Sequence, residues 1–215
     1  MKDSLFIDRK SSRLIVLLHG YGANKYDLSG LADLDPTSDW LFPNGVISLE
    51  MGGPYYESRA WFPIDMVEFQ RAMMKGEHRD LKNNYPPELT ESLSYLKNEL
   101  SLVMSKYEQV ILGGFSQGAM CTSHLIFDPD LSFKAAILLS GNLVAQNWLR
   151  NVELTIPIFQ SHGIQDQILS YNGAVELKSE LEKRKAIVDF SSFSGGHEIP
   201  QKVLSELGYF LSRLK

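Results

Sequence analysis

The chain has 215 residues, 44% of them hydrophobic and 22% charged, and its 21 basic and 26 acidic side chains give a formal net charge of −5. An acidic chain without a basic run is a poor candidate for binding nucleic acid, and no apolar run is long enough to predict stable membrane insertion. The length suffices for one substantial core, and no linker divides it, so we expect a single domain. The single cysteine, Cys121, excludes an internal disulfide, and with the lack of a secretory h-region near residue 1 it predicts a cytoplasmic protein.

The first strong element is a strand over Arg13 to Leu18. Its apolar residues are continuous rather than alternating, which is typical of a strand buried on both faces in a parallel sheet. The next residues are His19-Gly20-Tyr21-Gly22, whose glycines allow a tight turn. That turn would direct the backbone N–H of Tyr21 into a site at the carboxyl edge of the sheet, where an oxyanion donor belongs. The alternative is a simple strand-to-helix turn in which His19 makes a local hydrogen bond.

Less regular chain follows this loop. Residues 23–32 are predicted to be helical, and Trp40–Phe42 and Val46–Leu49 are predicted strands around a Pro-Asn-Gly turn. From residue 50 to residue 87, prolines and glycines interrupt the periodicity, while aromatic and methionine residues indicate exposed apolar surface. We interpret residues 50–87 as an insertion that forms a lid or the wall of an acyl-binding site. The alternative is that its aromatic residues only anchor a long loop.

The central motif is Gly114-x-Ser116-x-Gly118, which lies between a buried strand from Val110 and a helix. In a nucleophile elbow, a sharp strand-to-helix turn holds the serine in strained backbone geometry, and small flanking residues let the strand and helix approach. The helix N-terminus, beginning with the N–H of Gln117, would supply the other oxyanion donor. The alternative, a glycine-rich turn with an incidental serine, is disfavoured by the strand before it and the helix after it.

The rest of the chain alternates helices and strands. Predicted helices cover 89–103, 171–185 and 200–214, and predicted strands cover 133–141, 156–163 and 186–190. Strands that alternate with helices throughout predict an α/β fold with a mostly parallel sheet.

A serine is a weak nucleophile by itself, so the chain must supply a base and a group that orients this base. In folds with this elbow, the acid and then the histidine follow the serine along the chain. His197 lies in a glycine-rich loop after the last strand and is the predicted base, and Asp166, in the equivalent loop after the preceding strand, is the predicted acid. His162 stays possible as the base, and Asp189 is the rival acid, although Asp189 falls inside a strand. The other histidines precede the serine or follow it too closely.

Several pieces of sequence carry a likeness to a known family: His19-Gly20-Tyr21-Gly22, Arg59-Ala60-Trp61-Phe62, the run from Gly113 to Gly118, His162-Gly163 followed by Asp166, and Gly196-His197. They span nearly the whole chain and resemble the phospholipase/carboxylesterase family of α/β-hydrolases, which includes the acyl-protein thioesterases. The resemblance implies an α/β-hydrolase fold with helices on both faces of the sheet. It also implies a serine hydrolase that cleaves carboxylic esters, thioesters or lysophospholipids without a cofactor or metal, and therefore a small-molecule or lipid-like acyl ester as substrate.

The resemblance also assigns roles to individual residues. These are a catalytic triad of Ser116, Asp166 and His197, oxyanion donors in the backbone N–H groups of Tyr21 and Gln117, and substrate-binding roles for Trp61 and Phe62 in the acyl site.

Two positions depart from the family pattern. Tyr21 stands where many members have Leu, and its larger ring would narrow the pocket. Glu198 stands where many have Ser, and it adds a negative charge beside His197.

The alternative functions are a peptidase or other acyl hydrolase on the same scaffold, and a catalytically silent relative that only binds. We expect a monomer or a homodimer.

Overall fold

A central sheet organises the described residues, which are 3–50, 57–150 and 152–214 of this computed structural model. The strands in this part of the chain are β1 (Ser4–Ile7), β2 (Arg13–Leu18), β3 (Asp39–Pro43), β4 (Ile47–Leu49), β5 (Ser58–Ala60), β6 (Gln109–Phe115), β7 (Ala135–Leu139), β8 (Pro157–Gly163) and β9 (Ile187–Phe193). The helices are α1 (Met66–Lys75), α2 (Pro87–Met104), α3 (Gln117–Leu125), α4 (Tyr171–Lys183) and α5 (Gln201–Ser212), with short 3-10 helices at Ser29–Leu34 and Gln146–Trp148.

The large sheet has seven strands in the order β1-β3-β2-β6-β7-β8-β9, and all neighbours are parallel except β1 and β3. β4 and β5 pair separately as an antiparallel two-stranded sheet. Every residue of β2, β3 and β7 is buried, because a parallel sheet with helices on both faces offers neither side to water. The predicted α/β fold with a mostly parallel sheet is confirmed.

Helices cover both faces of the sheet, and each face has its own apolar core. On one face lie α2, α3 and α4, with Leu96 and Leu100 of α2 fully buried. On the other lie α5 and the 3-10 helix Ser29–Leu34, with Val203 and Leu207 of α5 fully buried. The helical spacing of these apolar residues in the sequence therefore located the long helices correctly. None of the described helices is both long and apolar enough to cross a membrane.

Two local predictions near the N-terminus differ from the structure. The predicted helix over 23–32 is wrong, because turns occupy its first part and only a 3-10 helix begins at Ser29. The Asn24 side chain accounts for this, since its Oδ1 accepts a hydrogen bond from the Tyr26 N–H at 3.0 Å and competes with helical pairing. No strand is predicted before Arg13, yet β1 pairs with β3 at the edge of the sheet.

Regular secondary structure is present in the described part of the segment 50–87. Its residues 51–56 lie outside the described residues, and the remainder contains β5 and α1. The expectation of exposed aromatic surface is wrong at Trp61 and Phe62, which are 0% and 3% exposed because they belong to the core beneath α2 and α3. α1 buries none of its residues, and the Asp65 side chain caps it by accepting hydrogen bonds from two backbone N–H groups of its first turn.

We expect Gly118→Ala to destabilise the fold by about 3 kcal/mol or more, because overpacked cores relax poorly. A Cβ at Gly118 would lie 2.1 Å from the carbonyl oxygen of Leu18 and would force α3 away from β2. Thermal unfolding should then show a Tm lower by at least about 6 °C for a chain of this size. Gly30→Ala is the matched control, because a Cβ there meets nothing within 4 Å, and it should leave Tm nearly unchanged. Equal Tm values for both variants would contradict the close packing of strand and helix.

Candidate active site

Ser116 occupies the turn between β6 and α3. Its backbone has φ 54° and ψ −115°, in the positive-φ region that a non-glycine residue adopts only under strain. Gly114 permits the turn, because a Cβ there would lie 2.3 Å from the carbonyl carbon of Gly118. The Ser116 N–H donates to the carbonyl oxygen of Leu139 at 2.8 Å, which ties the turn to β7. The structure therefore contains the elbow that the sequence predicts.

A continuous chain of hydrogen bonds joins Ser116, His197 and Asp166. The Ser116 Oγ lies 2.9 Å from His197 Nε2, and His197 Nδ1 lies 2.7 Å from Asp166 Oδ2. With a carboxylate on its Nδ1 side, the imidazole carries its proton on Nδ1, so Nε2 is free to accept the hydroxyl proton of the serine. Asp166 follows β8 and His197 follows β9, and the parallel sheet brings both loops to the carboxyl edge beside the elbow.

The rival residues have other partners, although His162 Nε2 also lies 3.3 Å from Asp166 Oδ2. Asp189, within β9, forms an ion pair with Arg213, and both side chains are about half exposed. His162 is fully buried, and its Nε2 lies 2.9 Å from the carbonyl oxygen of Leu169, to which it donates. The structure therefore brings together the three residues that the sequence favours, and it places Asp189 on the surface.

Asp166 is held as a carboxylate. Its burial by itself raises the pKa. The hydrogen bond and charge of His197 lower the pKa, and so do the N–H groups of Leu169 and Ile168, which donate to Oδ1 at 2.9 and 2.8 Å. The pKa of Asp166 therefore lies below its usual value, and the ionised side chain can fix the orientation and tautomer of His197.

A cavity of about 300 Å³ is lined by Ser116 and His197. Most of its other walls are apolar, and they comprise Phe62, Pro63, Ile64, Met66, Phe69, Leu81, Met120, Ile168 and Leu169. Many of these residues belong to the segment 50–87, but Met120 comes from α3, and Ile168 and Leu169 come from the loop after β8. No pattern in the sequence marks these three as wall residues, because an apolar residue that lines a cavity has no local signal that separates it from an ordinary core residue.

Two residues of the cavity wall have backbone N–H groups that make no hydrogen bond within the described chain. Tyr21 and Gln117 both line the cavity, and their backbone N–H groups donate to no acceptor among the described residues. Gln117 is the first residue of α3, where backbone N–H groups have no acceptor within the helix. Tyr21 lies in the loop after β2, which turns at Gly22 with a φ of 80°. Both N–H groups are therefore available to an oxyanion.

Buried polar contacts fix the loop that carries Tyr21. The Nδ1–H of His19 donates to the carbonyl oxygen of Gly20 at 2.7 Å, and the Gly45 N–H donates to His19 Nε2 at 2.9 Å. This pattern uses both ring nitrogens of a neutral imidazole, and burial lowers the pKa of His19 to about 4. The local hydrogen bond of the alternative interpretation therefore exists, and it coexists with the open N–H of Tyr21.

Trp61 does not lie where the acyl-site assignment puts it. It is fully buried and is absent from the cavity wall, whereas Phe62 does line the cavity. The Trp61 indole N–H donates to the carbonyl oxygen of His19 at 2.9 Å, and its backbone N–H donates to Gln117 Oε1 at 2.8 Å. Gln117 Nε2 donates in turn to the carbonyl oxygen of Phe62 at 2.6 Å. These hydrogen bonds hold Trp61 against the segments that carry His19 and Gln117, outside the wall of this cavity.

We expect the free energy of unfolding of His19→Gln to fall less than that of the wild type as the pH is lowered. His19 stays neutral in the folded chain down to about pH 4, whereas the unfolded chain protonates it near 6.5. Between these values the unfolded state binds more protons, so the wild-type fold loses stability as the pH falls, by about 3 kcal/mol through this residue. Gln does not titrate, and its side-chain oxygen can still accept from the Gly45 N–H.

The measurement is the free energy of unfolding in urea, at about pH 7 and about pH 4.5. The difference between the two pH values should be smaller in His19→Gln than in the wild type. An equal difference in the two proteins would rule out a buried neutral His19.

Comparison with known proteins agrees with this geometry. A family model described as Phospholipase/Carboxylesterase matches residues 7–215. Acyl-protein thioesterase 1 of Candida albicans is 25% identical over 221 residues, which cover 93% of this chain and 91% of that protein. The crystal structure of esterase PE8 has a TM-score of 0.80 at 24% identity over 99% of each chain. That of Zea mays acyl-protein thioesterase 2 has a TM-score of 0.75 at 22% identity over 98% of each chain.

The two solved structures share the fold with this chain over nearly its full length. The family match includes the elbow and the loops that carry Asp166 and His197. The chain therefore belongs to the phospholipase/carboxylesterase family of α/β-hydrolases, and it is a serine hydrolase that cleaves ester or thioester bonds.

Proposed function

We propose that the protein hydrolyses esters of apolar carboxylic acids through an acyl-enzyme on Ser116. In this proposal His197 is the general base, Asp166 orients it, and the N–H groups of Tyr21 and Gln117 bind the oxyanion. One observation carries the proposal: the hydrogen-bonded chain from Asp166 through His197 to Ser116, with distances of 2.7 and 2.9 Å, ends on the wall of a mostly apolar cavity.

Acylation forms the first covalent bond. The Ser116 Oγ attacks the carbonyl carbon of the substrate while its proton passes to His197 Nε2. The carbonyl oxygen becomes an oxyanion, which accepts hydrogen bonds from the backbone N–H groups of Tyr21 and Gln117. The bond to the leaving oxygen or sulfur then breaks, and the leaving group takes the proton from His197.

Deacylation repeats these steps with water as the nucleophile. Water gives a proton to His197 as its oxygen attacks the acyl carbon, and the same N–H groups bind the second oxyanion. The Ser116 Oγ leaves with the proton from His197, and the carboxylic acid is released. The proposed reaction uses no cofactor or metal.

The apolar wall supports a hydrocarbon acyl group as the part of the substrate that is recognised. Phe62, Ile64 and Phe69 contribute to this wall from the segment 50–87, which supports the interpretation of that segment as an acyl-binding wall rather than a lid. Each buried methylene contributes about 0.8 kcal/mol, or roughly fourfold in kcat/KM, until the cavity is filled. Activity should therefore rise with acyl length to an optimum.

Three further expectations stay predictions. They are a single domain, a monomeric or homodimeric assembly, and a location in the cytoplasm. The last is supported by Cys121, which is a free and buried thiol whose pKa is raised by burial.

Ser116→Ala should lower kcat/KM for 4-nitrophenyl esters by about 10⁴-fold or more, because no other group can form the acyl-enzyme. Asp166→Asn should lower it by about 10³-fold to 10⁴-fold, because the amide favours the wrong tautomer of His197. A fluorophosphonate probe should label the wild type and leave Ser116→Ala unlabelled.

Ser179→Ala is the control for these variants, because Ser179 is exposed on α4, and it should keep full activity and labelling. Turnover that survives in Ser116→Ala would show that another residue is the nucleophile. A wild-type protein with neither turnover nor labelling would instead be a silent binding protein.

Ile64→Trp should shorten the preferred acyl chain. Ile64 lines the cavity, and an indole there would fill space that the far end of a long chain needs. The ratio of laurate to acetate turnover, measured as kcat/KM on 4-nitrophenyl esters, should fall by about tenfold or more. Ile164→Trp is the control, because Ile164 is 55% exposed and lies outside the cavity wall, and it should keep the wild-type ratio. A fall of the same size in both variants would count against an acyl site in this cavity.

A further inference from the structure

Arg79 adds a positive charge to the wall of the catalytic cavity. Among the described residues that line this cavity, it is the only Lys, Arg, Asp or Glu. Its side chain is partly buried, and its guanidinium carbon lies 5.3 Å from the ring centre of Phe69, another wall residue. Within the described ranges, no carboxylate lies at ion-pair distance from Arg79 and no acceptor receives a hydrogen bond from it.

Two acids act on Arg79 through their charges, but neither forms an ion pair with it. Burial lowers the pKa of Arg79, and the charges of Glu68 and Asp65 on and before α1 raise it by a smaller amount. The Oδ1 atom of Asp65 already accepts two backbone hydrogen bonds at the start of α1. A guanidinium keeps its proton even when it is partly buried, and a cation in apolar surroundings is costly unless it is paired. Arg79 therefore offers a charge without a carboxylate partner in the described chain to whatever occupies the cavity.

A second cavity, of about 210 Å³, shares Arg79 and Leu81 with the catalytic cavity. It lies at the start of α4, where the Ser170 side chain makes no capping hydrogen bond and the first turn contains no acid. Asn142 also lines this cavity, is only 7% exposed, and has no partner for its Oδ1 among the described residues. The space beyond Arg79 is therefore polar, unlike the acyl wall.

The carboxylates of the second cavity already have partners. Glu176 accepts a hydrogen bond from Lys82 Nζ at 2.6 Å, and Asp80 accepts one from Asn83 Nδ2 at 2.6 Å. Arg79 thus lies at the border between an apolar and a polar cavity. Unlike Glu176 and Asp80, its side chain has no hydrogen-bond or ion-pair partner in the described chain.

We propose that Arg79 binds a carboxylate group of the ester substrate at the border between the two cavities. The planar guanidinium can donate two parallel hydrogen bonds to a carboxylate, which gives geometric selectivity as well as charge pairing. The apolar wall then binds the hydrocarbon between the scissile ester and this carboxylate. The inference rests on the proposed function, because it specifies the substrate class of the same site.

The test compares two esters that differ only at the end of the acyl chain. They are 4-nitrophenyl octanoate and the mono-4-nitrophenyl ester of octanedioic acid, which carries a terminal carboxylate. Arg79→Gln should lower the ratio of kcat/KM for the anionic ester to that for the neutral ester by about tenfold to a hundredfold, as for other hydrogen bonds to charged groups. Arg79→Lys should lower the ratio less, because it keeps the charge and loses the paired geometry.

A second pair of esters places the charge on the leaving group. These are the butanoyl esters of 4-hydroxybenzoate and of 4-hydroxybenzamide. A fall in the anionic-to-neutral ratio for either pair supports the proposal, and the pair that responds shows whether the carboxylate belongs to the acid or the alcohol. Arg71→Gln is the matched control, because Arg71 is exposed on α1 outside the cavity, and it should leave both ratios unchanged.

Different results would overturn the role of Arg79 and the proposed function. If wild-type turnover of the octanoate depends on Ser116 but Arg79→Gln leaves both ratios unchanged, the role of Arg79 is overturned and the proposed function stands. If turnover does not depend on Ser116, the proposed function fails, and binding then tests Arg79 directly. Calorimetric titration of Ser116→Ala with monomethyl octanedioate should give a Kd about tenfold or more tighter than that of Ser116→Ala/Arg79→Gln, and equal values would overturn the proposal.

Discussion

The contact between α3 and β2 is the constraint on which the site depends. At Gly118 the helix comes so close to the strand that an added Cβ would lie 2.1 Å from the carbonyl oxygen of Leu18. This approach leaves Ser116 in a strained turn with φ 54° and brings the N-terminus of α3 beside the loop that follows β2. The two predicted oxyanion donors are far apart in sequence, and they come close together because the backbones of β2 and α3 are in direct contact. Strain at one serine is tolerated because the surrounding sheet over-determines its position.

A second set of interactions fixes the positions of the loops that carry His19 and Trp61 relative to the elbow. The Gln117 side chain accepts from the backbone of Trp61 and donates to the carbonyl oxygen of Phe62, and the Trp61 indole donates to His19. These hydrogen bonds are buried, and a buried polar group that loses its partner is destabilising, so the network specifies one arrangement. The side chain of Gln117 thus stabilises the fold, while its backbone N–H has no acceptor among the described residues and is available to a ligand.

The cavity combines surfaces with different chemistry. Its acyl wall is built from the segment 50–87, from α3 and from the loop after β8. The same loop carries Asp166, whose Oδ1 accepts from the N–H groups of Ile168 and Leu169, and both of these residues also line the cavity. Orientation of the acid and the shape of the acyl wall are therefore coupled through the four consecutive residues 166–169. Arg79 lies where this apolar wall meets a polar cavity at the start of α4.

Features that depend on short-range pattern could be predicted from the sequence. Continuous apolar runs located β2, β6, β7 and β8, helical spacing located α2, α4 and α5, and the glycines around Ser116 located the elbow. The order of acid and histidine along the chain, together with loops after parallel strands, was enough to select Asp166 and His197 over Asp189. The strands and helices were located correctly because strand burial and helix amphipathicity follow from local periodicity, and the loops that carry Asp166 and His197 share an edge because parallel strands end there.

The folded structure was needed to find the position of Trp61, the turns and 3-10 helix within residues 23–32, and the apolar residues that line the cavity. In the sequence, nothing distinguishes Trp61 from the other aromatic residues of an irregular segment. Its burial depends on hydrogen-bond partners 42 and 56 positions away. Ile168 and Leu169 are likewise indistinguishable from core residues until the loop after β8 meets α3. The same holds for Arg79, since a sequence pattern shows that a charge is present but not that it lacks an ion-pair partner among the described residues. Contacts between distant segments are set by packing and hydrogen-bond geometry, and neither is encoded in the local periodicity of the chain.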